Sequence, residues 1–211
     1  MFAAFLSVFV VIFVEMELRP QIRILAEATP PVLADGRKFL RVMVENRRLW
    51  WPLNLIMDRR PVYLARAWIT FLTETNDLVF GRRMVGRWSN TPEPIRPLSV
   101  NLTTAGTATI ALLRDVTIIR DAADIGSGSS EPLDVVMRAP NEDGCRGWNN
   151  GIIENPTAAP EDRFELRRGR YRALVRIDAS GRSTYALFRI VCDVGIGDFR
   201  LEPLDELPPR L

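Results

Sequence analysis

The residue types that usually carry out catalysis are sparse in this sequence, which contains no histidine. Without an imidazole, the chain cannot build a Ser-His-Asp or Cys-His nucleophile, a histidine-ligated zinc site or a histidine acid-base catalyst. Paired carboxylates could serve a glycoside hydrolase. However, Glu142 and Asp143 lie in a stretch rich in turn residues, NEDGCRGWNN, where solvated charge is the ordinary explanation. We therefore expect no enzyme and no catalytic residue.

The two cysteines, Cys145 and Cys192, are the remaining candidates for site chemistry. Two thiols without histidine make a poor zinc site, and residues 141–143 lack the alternating oxygen ligands of a calcium-binding loop. In an exported domain the cysteines could form a disulfide. In a cytoplasmic domain Cys145 would be a loop thiol and Cys192 a buried small hydrophobic residue. We expect unpaired thiols, no metal and no cofactor.

The most unusual segment is RRLWWPLNLIMDRR, residues 47–60, which has an arginine pair at each end and two tryptophans among large aliphatic residues. This combination is typical of a membrane interface, where indole rings lie at headgroup level and guanidinium groups meet lipid phosphate. It is also enriched in protein–protein hot spots. A third interpretation is a flap folded over one end of the domain. The residues predicted to contact lipid or a partner are Arg47, Arg48, Trp50, Trp51, Arg59 and Arg60.

The chain opens with fourteen uncharged, apolar residues, MFAAFLSVFVVIFV. At about 1.5 Å per residue they give about 21 Å, against a hydrocarbon core of about 30 Å. A membrane span must therefore also include the residues up to Leu18, or residues that precede the given sequence. The segment has neither the basic start nor the small-residue cleavage site of a signal peptide. We expect residues 1–18 to be an uncleaved, single-pass membrane anchor.

The charges that flank this segment indicate which side of the membrane the rest of the chain occupies. Arg19 and Arg23 follow the segment, and no basic residue precedes it. The positive-inside rule therefore favours a cytoplasmic globular domain at the cell membrane. A glycosylation sequon at Asn101 and the two cysteines would matter only in an exported domain.

The length and the net charge of the chain limit the size of its core and the kinds of partner it can bind. The 211 residues are 47% hydrophobic, enough to bury one sizeable core. The net charge is +2, from 28 basic and 26 acidic residues, and Lys38 is the only lysine. This balance gives no general attraction to nucleic acid.

Past residue 18 the chain reads as short alternating strands separated by Pro, Gly, Asn and Asp, with little helical periodicity. The segments 107–113 and 116–119 are further apolar runs, and GSGSSEP at 126–132 is predicted to be a flexible loop. The fold class is therefore mainly β, an antiparallel sandwich over residues 19–203, followed by a Pro-rich tail at 204–211. The clearest predicted strands are 21–25, 39–45, 65–71, a hairpin of 170–178 and 185–192 around a turn at 178–181, and a closing strand at 199–202.

Two motifs resemble those of prokaryotic membrane-anchored immunoglobulin-like modules of the adhesion-related and uncharacterised kinds. Leu40-Arg41-Val42-Met43-Val44-Glu45-Asn46 matches an early leucine-x-valine-x-valine-x-asparagine strand, and Leu166-Arg167-Arg168-Gly169-Arg170-Tyr171 matches a late leucine and glycine-x-tyrosine pattern. The resemblance extends over most of residues 20–203, although residues 47–52 replace the usual glycine turn. It implies an immunoglobulin-like sandwich and a role in binding or scaffolding at a membrane, and its motifs carry no chemistry.

The expected function is that of a non-catalytic, membrane-tethered binding or scaffolding domain. The alternative is a structural accessory subunit of a membrane enzyme or transporter. In both cases the expected partners are membrane lipid, through the anchor, and a protein in the membrane, with no nucleic acid.

Overall fold

The N-terminal segment forms one helix, α1 (Phe2–Leu18). The computed structural model describes residues 2–29, 32–91, 121–151, 163–193 and 196–206, and for residues 2–6 and 196 it describes the backbone only. The helix ends two residues before Pro20, because a proline disfavours helical backbone in the residue that precedes it.

The predicted membrane anchor is not found as a span. Among the described residues, no helix is long and apolar enough to cross a membrane. The 17 residues of α1 give about 26 Å at 1.5 Å per residue, short of a hydrocarbon core of about 30 Å, and Glu15 and Glu17 occupy its last turn.

The described residues after α1 form an antiparallel, two-sheet β-sandwich, as the alternating pattern predicts. The first sheet has the order β1-β2-β7-β8-β9, with β5 also paired to β7. The second has the order β12-β11-β10-β3-β4, with β6 also paired to β3. The strands are β1 (Ile22–Ala26), β2 (Lys38–Asn46), β3 (Val62–Leu72), β4 (Met84–Val85), β5 (Arg87–Trp88), β6 (Ala122–Ile125), β7 (Ser130–Arg138), β8 (Cys145–Gly147), β9 (Glu165–Leu166), β10 (Gly169–Ala179), β11 (Arg182–Cys192) and β12 (Arg200–Leu204).

The predicted late hairpin is confirmed by β10 and β11, which pair without a break from Gly169 and Cys192 to Ala179 and Arg182. The two residues between them, Ser180 and Gly181, both have positive φ, 50° and 75°. Positive φ at both central residues defines the two-residue turn whose twist matches that of an antiparallel pair.

The core lies between the sheets and is filled by the inward faces of their strands. In β3 the predicted inward residues Ala65, Ala67, Ile69 and Phe71 are all buried. They belong to one apolar cluster with side chains of the opposite sheet, such as Leu133 of β7. Because side chains alternate across a strand, one period-two pattern defines both the strand and its buried face.

The predicted flexible loop at 126–132 is wrong in its second half. Ser130 begins β7 and pairs with Glu45, so only the residues before it connect β6 to β7. The serine- and glycine-rich composition predicts a loop, but the first residues of β7 are strand because they pair with β2. The apolar runs at 107–113 and 116–119, the sequon at Asn101 and the tail residues 207–211 lie outside the described residues.

Candidate functional site

Three chain segments that are distant in sequence meet at one end of the sandwich. They are the junction of α1 with β1 (residues 18–21), the connection from β2 to β3 (residues 47–61) and the turn of the β10–β11 hairpin (residues 179–182). We call this end the helix end. The opposite end, which holds Cys145, Cys192 and the start of β10, is called the far end.

The connection from β2 to β3 is fastened to the end of α1 and to the residues that follow it by four hydrogen bonds. The Arg59 guanidinium donates to the carbonyl oxygen of Arg19 at 2.6 Å, and the Arg60 N–H donates to the carbonyl oxygen of Leu18 at 2.9 Å. The Arg60 side chain also reaches Glu15 at 2.7 Å, and the Arg47 N–H donates to the carbonyl of Gln21 at 3.0 Å. This segment and the end of α1 therefore form one surface.

Asn46 holds the same region from inside. It is fully buried, and its side-chain oxygen accepts a hydrogen bond from the Gln21 N–H at 3.2 Å. Its amide nitrogen donates to the carbonyls of Arg60 at 3.0 Å and Ile125 at 3.4 Å. One side chain thus connects the beginning of β1, the approach to β3 and the end of β6.

Residues 47–60, which we call the tryptophan segment, present apolar side chains to the outside. Trp50 is 57% exposed and Trp51 is 72% exposed. Leu55 and Ile56 in the same segment are also exposed, whereas Leu49 is buried and fixes the segment to the domain. The segment thus lies at one end of the sandwich with Leu49 buried and both tryptophans exposed.

Along its residues 8–13, the neighbouring helix is apolar on every side and is not covered by the other described parts of the chain. All of the consecutive residues from Val8 to Phe13 are exposed. Because a helix turns once in about 3.6 residues, this run points in every direction around the axis. A helix that is hydrophobic all round is normally buried in a core or in lipid.

The structure brings the six predicted contact residues together at the helix end, but one of them is not on the surface. Arg47, Arg48 and Arg60 are exposed along with the two tryptophans. Arg59 is only 3% exposed, and its contact with lipid or a partner stays a prediction. Burial lowers the pKa of Arg59, and Glu17, 4.0 Å away, opposes that change. Its role is to fasten the segment to α1.

No local sequence pattern indicates that the hairpin turn at the helix end belongs to a site. Arg182 and Ser180 line a cavity together with Arg19 and Arg60. Turn chemistry predicted the hairpin itself, but nothing local to residues 179–182 indicates which end of the sandwich the turn shares with α1.

The carboxylates considered for catalysis or calcium lie at the far end and are paired with arginines. Asp143 accepts from Arg168 at 2.6 Å, and Glu142 forms an ion pair with Arg146. They line a cavity of about 430 Å³ together with Cys145. Across the described ranges, no three side chains of the His, Cys, Asp and Glu types come together as a metal site would require.

Both cysteines are free thiols and both are buried. The prediction that Cys145 lies in a loop is wrong, because Cys145 begins β8 and pairs with Leu166. The hydrogen bond that it shares with Cys192, together with burial, raises the pKa of Cys145 well above that of an ordinary thiol. The protonated, buried form is a poor nucleophile.

Comparison with known proteins identifies no relative. No protein-family model, no curated protein and no solved structure matches the chain.

Proposed function

We propose that this protein is a non-catalytic, membrane-tethered binding or scaffolding module, and that it attaches to the lipid bilayer by its helix end. The observation that carries the proposal is the exposure of α1 on all sides, from Val8 to Phe13. A protein groove would cover one face of such a helix and leave the others in water. Lipid chains surround it completely, so they match the distribution of its apolar surface.

The tryptophan segment supports the same orientation. Trp50 and Trp51 are exposed in a segment that Arg59 fastens to Arg19, the residue after α1, and amphipathic indole rings prefer the level of the headgroups. Arg47 and Arg48 are exposed in the same segment, where guanidinium groups can meet lipid phosphate. The apolar helix, the indole rings and the arginines thus belong to one connected region of the molecule, in which each kind of side chain suits a different level of a bilayer.

The immunoglobulin-like type of sandwich and the cytoplasmic side of the membrane belong to this proposal as well. The strand motifs ending at Asn46 and Tyr171 support the first. Arg19 and Arg23, directly after the helix, support the second through the positive-inside rule.

The test is flotation of the full chain with neutral phosphatidylcholine vesicles, after dilution from mild detergent. Trp50→Ala combined with Trp51→Ala should weaken vesicle binding by roughly tenfold or more, because each indole removes a large apolar area from water on binding. The free energy of unfolding should change by less than about 0.5 kcal/mol, as for other exposed substitutions.

A matched control truncates two exposed apolar residues elsewhere, Leu33→Ala with Leu78→Ala. Both lie in connections at the far end, and this variant should bind vesicles as the parent chain does. If the tryptophan variant unfolds with a loss of several kcal/mol, the segment belongs to the core and the proposal fails. Recovery of a polytopic membrane protein without any vesicle binding would favour the accessory-subunit alternative.

A further inference from the structure

A cleft at the helix end lies between the junction of α1 with β1 and the tip of the β10–β11 hairpin. Its volume is about 850 Å³. Its walls come from three separate places in the sequence: residues 19–22, residues 60–63 and residues 179–184. The tryptophan segment leads directly into one of these walls, since residue 60 is its last residue.

The charge of the cleft is one-sided. Arg19, Arg60 and Arg182 line it, and no aspartate or glutamate is among its lining residues. Arg60 is partly neutralised by Glu15, which lies outside the lining at 2.7 Å. For Arg19 and Arg182, no ion pair forms within the part of the chain that the structure describes.

The cleft also offers hydrogen-bonding groups without charge and a small apolar wall. Ser180 and Tyr63 are exposed at its edge, and Thr184 lines it. The Ser183 hydroxyl is already engaged, because it donates to Asp178 at 2.6 Å. Pro20 and Ile22 give the cleft an apolar side.

We propose that this cleft binds the phosphate of an anionic lipid headgroup, with Arg19 and Arg182 as the principal contacts. Guanidinium groups bind phosphate oxygens through paired, charge-assisted hydrogen bonds. The hydroxyl groups at the edge suit a polar headgroup such as glycerol, and the apolar side suits the first carbons of the lipid. The inference rests on the proposed membrane attachment, because that attachment places the cleft at the level of the headgroups.

The experiment compares flotation of the full chain with neutral phosphatidylcholine vesicles and with vesicles that also contain phosphatidylglycerol. The parent chain should bind the anionic vesicles more tightly. Arg182→Gln should reduce that added affinity by about fivefold, the usual effect of one arginine near an anionic surface, and should leave binding to neutral vesicles unchanged. Arg19→Gln should behave in the same way.

Arg66→Gln is the matched control, because Arg66 is also exposed and lies on β3, outside the cleft lining. It should leave the preference for anionic vesicles intact. If Arg66→Gln lowers that preference as much as Arg182→Gln, the attraction is a general surface charge and the cleft proposal is overturned. Equal binding of the parent chain to both vesicle types would also overturn it, while the proposed membrane attachment would stand. If the parent chain bound neither vesicle type, the proposed function itself would be wrong.

Soluble glycerol phosphate separates a lipid from a free phosphate as the source of the ligand. In the proposed arrangement, millimolar glycerol phosphate should not release the protein from anionic vesicles, because the cleft and the bilayer hold one lipid together. Complete release, together with calorimetric binding of glycerol phosphate to the chain without vesicles, would show a soluble ligand and reject the lipid.

Discussion

At the scale of single residues, Asn46 determines how the helix end is assembled. It terminates β2, and its buried amide satisfies backbone groups of Gln21, Arg60 and Ile125. Backbone groups in a core need such partners, since an unpaired buried group costs roughly 1–3 kcal/mol. These contacts give Asn46 a structural role.

Asn46→Ala should therefore destabilise the domain by about 3 kcal/mol in urea-induced unfolding, because it removes the side-chain partner of three backbone groups. The matched control is Asn90→Ala. Asn90 donates one exposed hydrogen bond, to Glu131 at 2.6 Å, and its loss should cost less than about 0.5 kcal/mol. Equal costs for the two variants would contradict the role assigned to Asn46.

At the scale of elements, the chain passes from one sheet to the other within a single residue, Gly86. β4 pairs with β3 in the second sheet, and β5 pairs with β7 in the first. Between them, the Gly86 N–H donates to the carbonyl of Ala67 at 2.8 Å. A Cβ at this position would lie 2.7 Å from the Cβ of Ala67 and 3.0 Å from a methyl group of Leu133. The crossing is possible only because the two sheets approach a residue without a side chain.

Gly86→Ala should lower the free energy of unfolding by about 1–3 kcal/mol, the usual cost of forcing extra volume into a packed core. Gly81→Ala is the control, because a Cβ at Gly81 meets nothing within 4 Å. Urea unfolding of the two variants tests the difference, and an unchanged or more stable Gly86 variant would show that the sheets can separate there without cost.

The elements also show which features were predictable from sequence. The β10–β11 hairpin was predictable because alternation and a two-residue turn are local signals. The start of β7 at Ser130 was not, since it depends on pairing with β2. The composition of residues 47–60 indicated an interface, but the burial of Arg59 depends on the carbonyl of Arg19, forty residues away in the chain. Local sequence patterns do not predict contacts between residues that are so far apart in the chain.

At the scale of the whole molecule, we expect α1 to contribute little to the stability of the sandwich. The helix is exposed along residues 8–13, and its ion pair from Glu15 to Arg60 lies on the surface. Exposed ion pairs contribute about 0–1 kcal/mol. The backbone contacts that fasten the tryptophan segment use the carbonyls of Leu18 and Arg19.

Removal of residues 1–17 should therefore leave a folded domain whose far-UV circular dichroism is dominated by β structure. The free energy of unfolding should fall by at most about 1 kcal/mol, while binding to neutral vesicles should be lost. A truncated chain without cooperative unfolding would mean that α1 belongs to the core of the domain.

The length of the central strands sets how far the domain extends from a surface that holds its helix end. β3, β10 and β11 each contain 11 residues, which span about 36 Å at about 3.3 Å per residue. The electrostatic potential of a charged bilayer decays over about 8 Å at physiological ionic strength. The paired charges of Glu142, Asp143 and Arg168 at the far end would thus stand several screening lengths away from the lipid. A molecule that docks there would meet the same local charge above a neutral bilayer as above an anionic one.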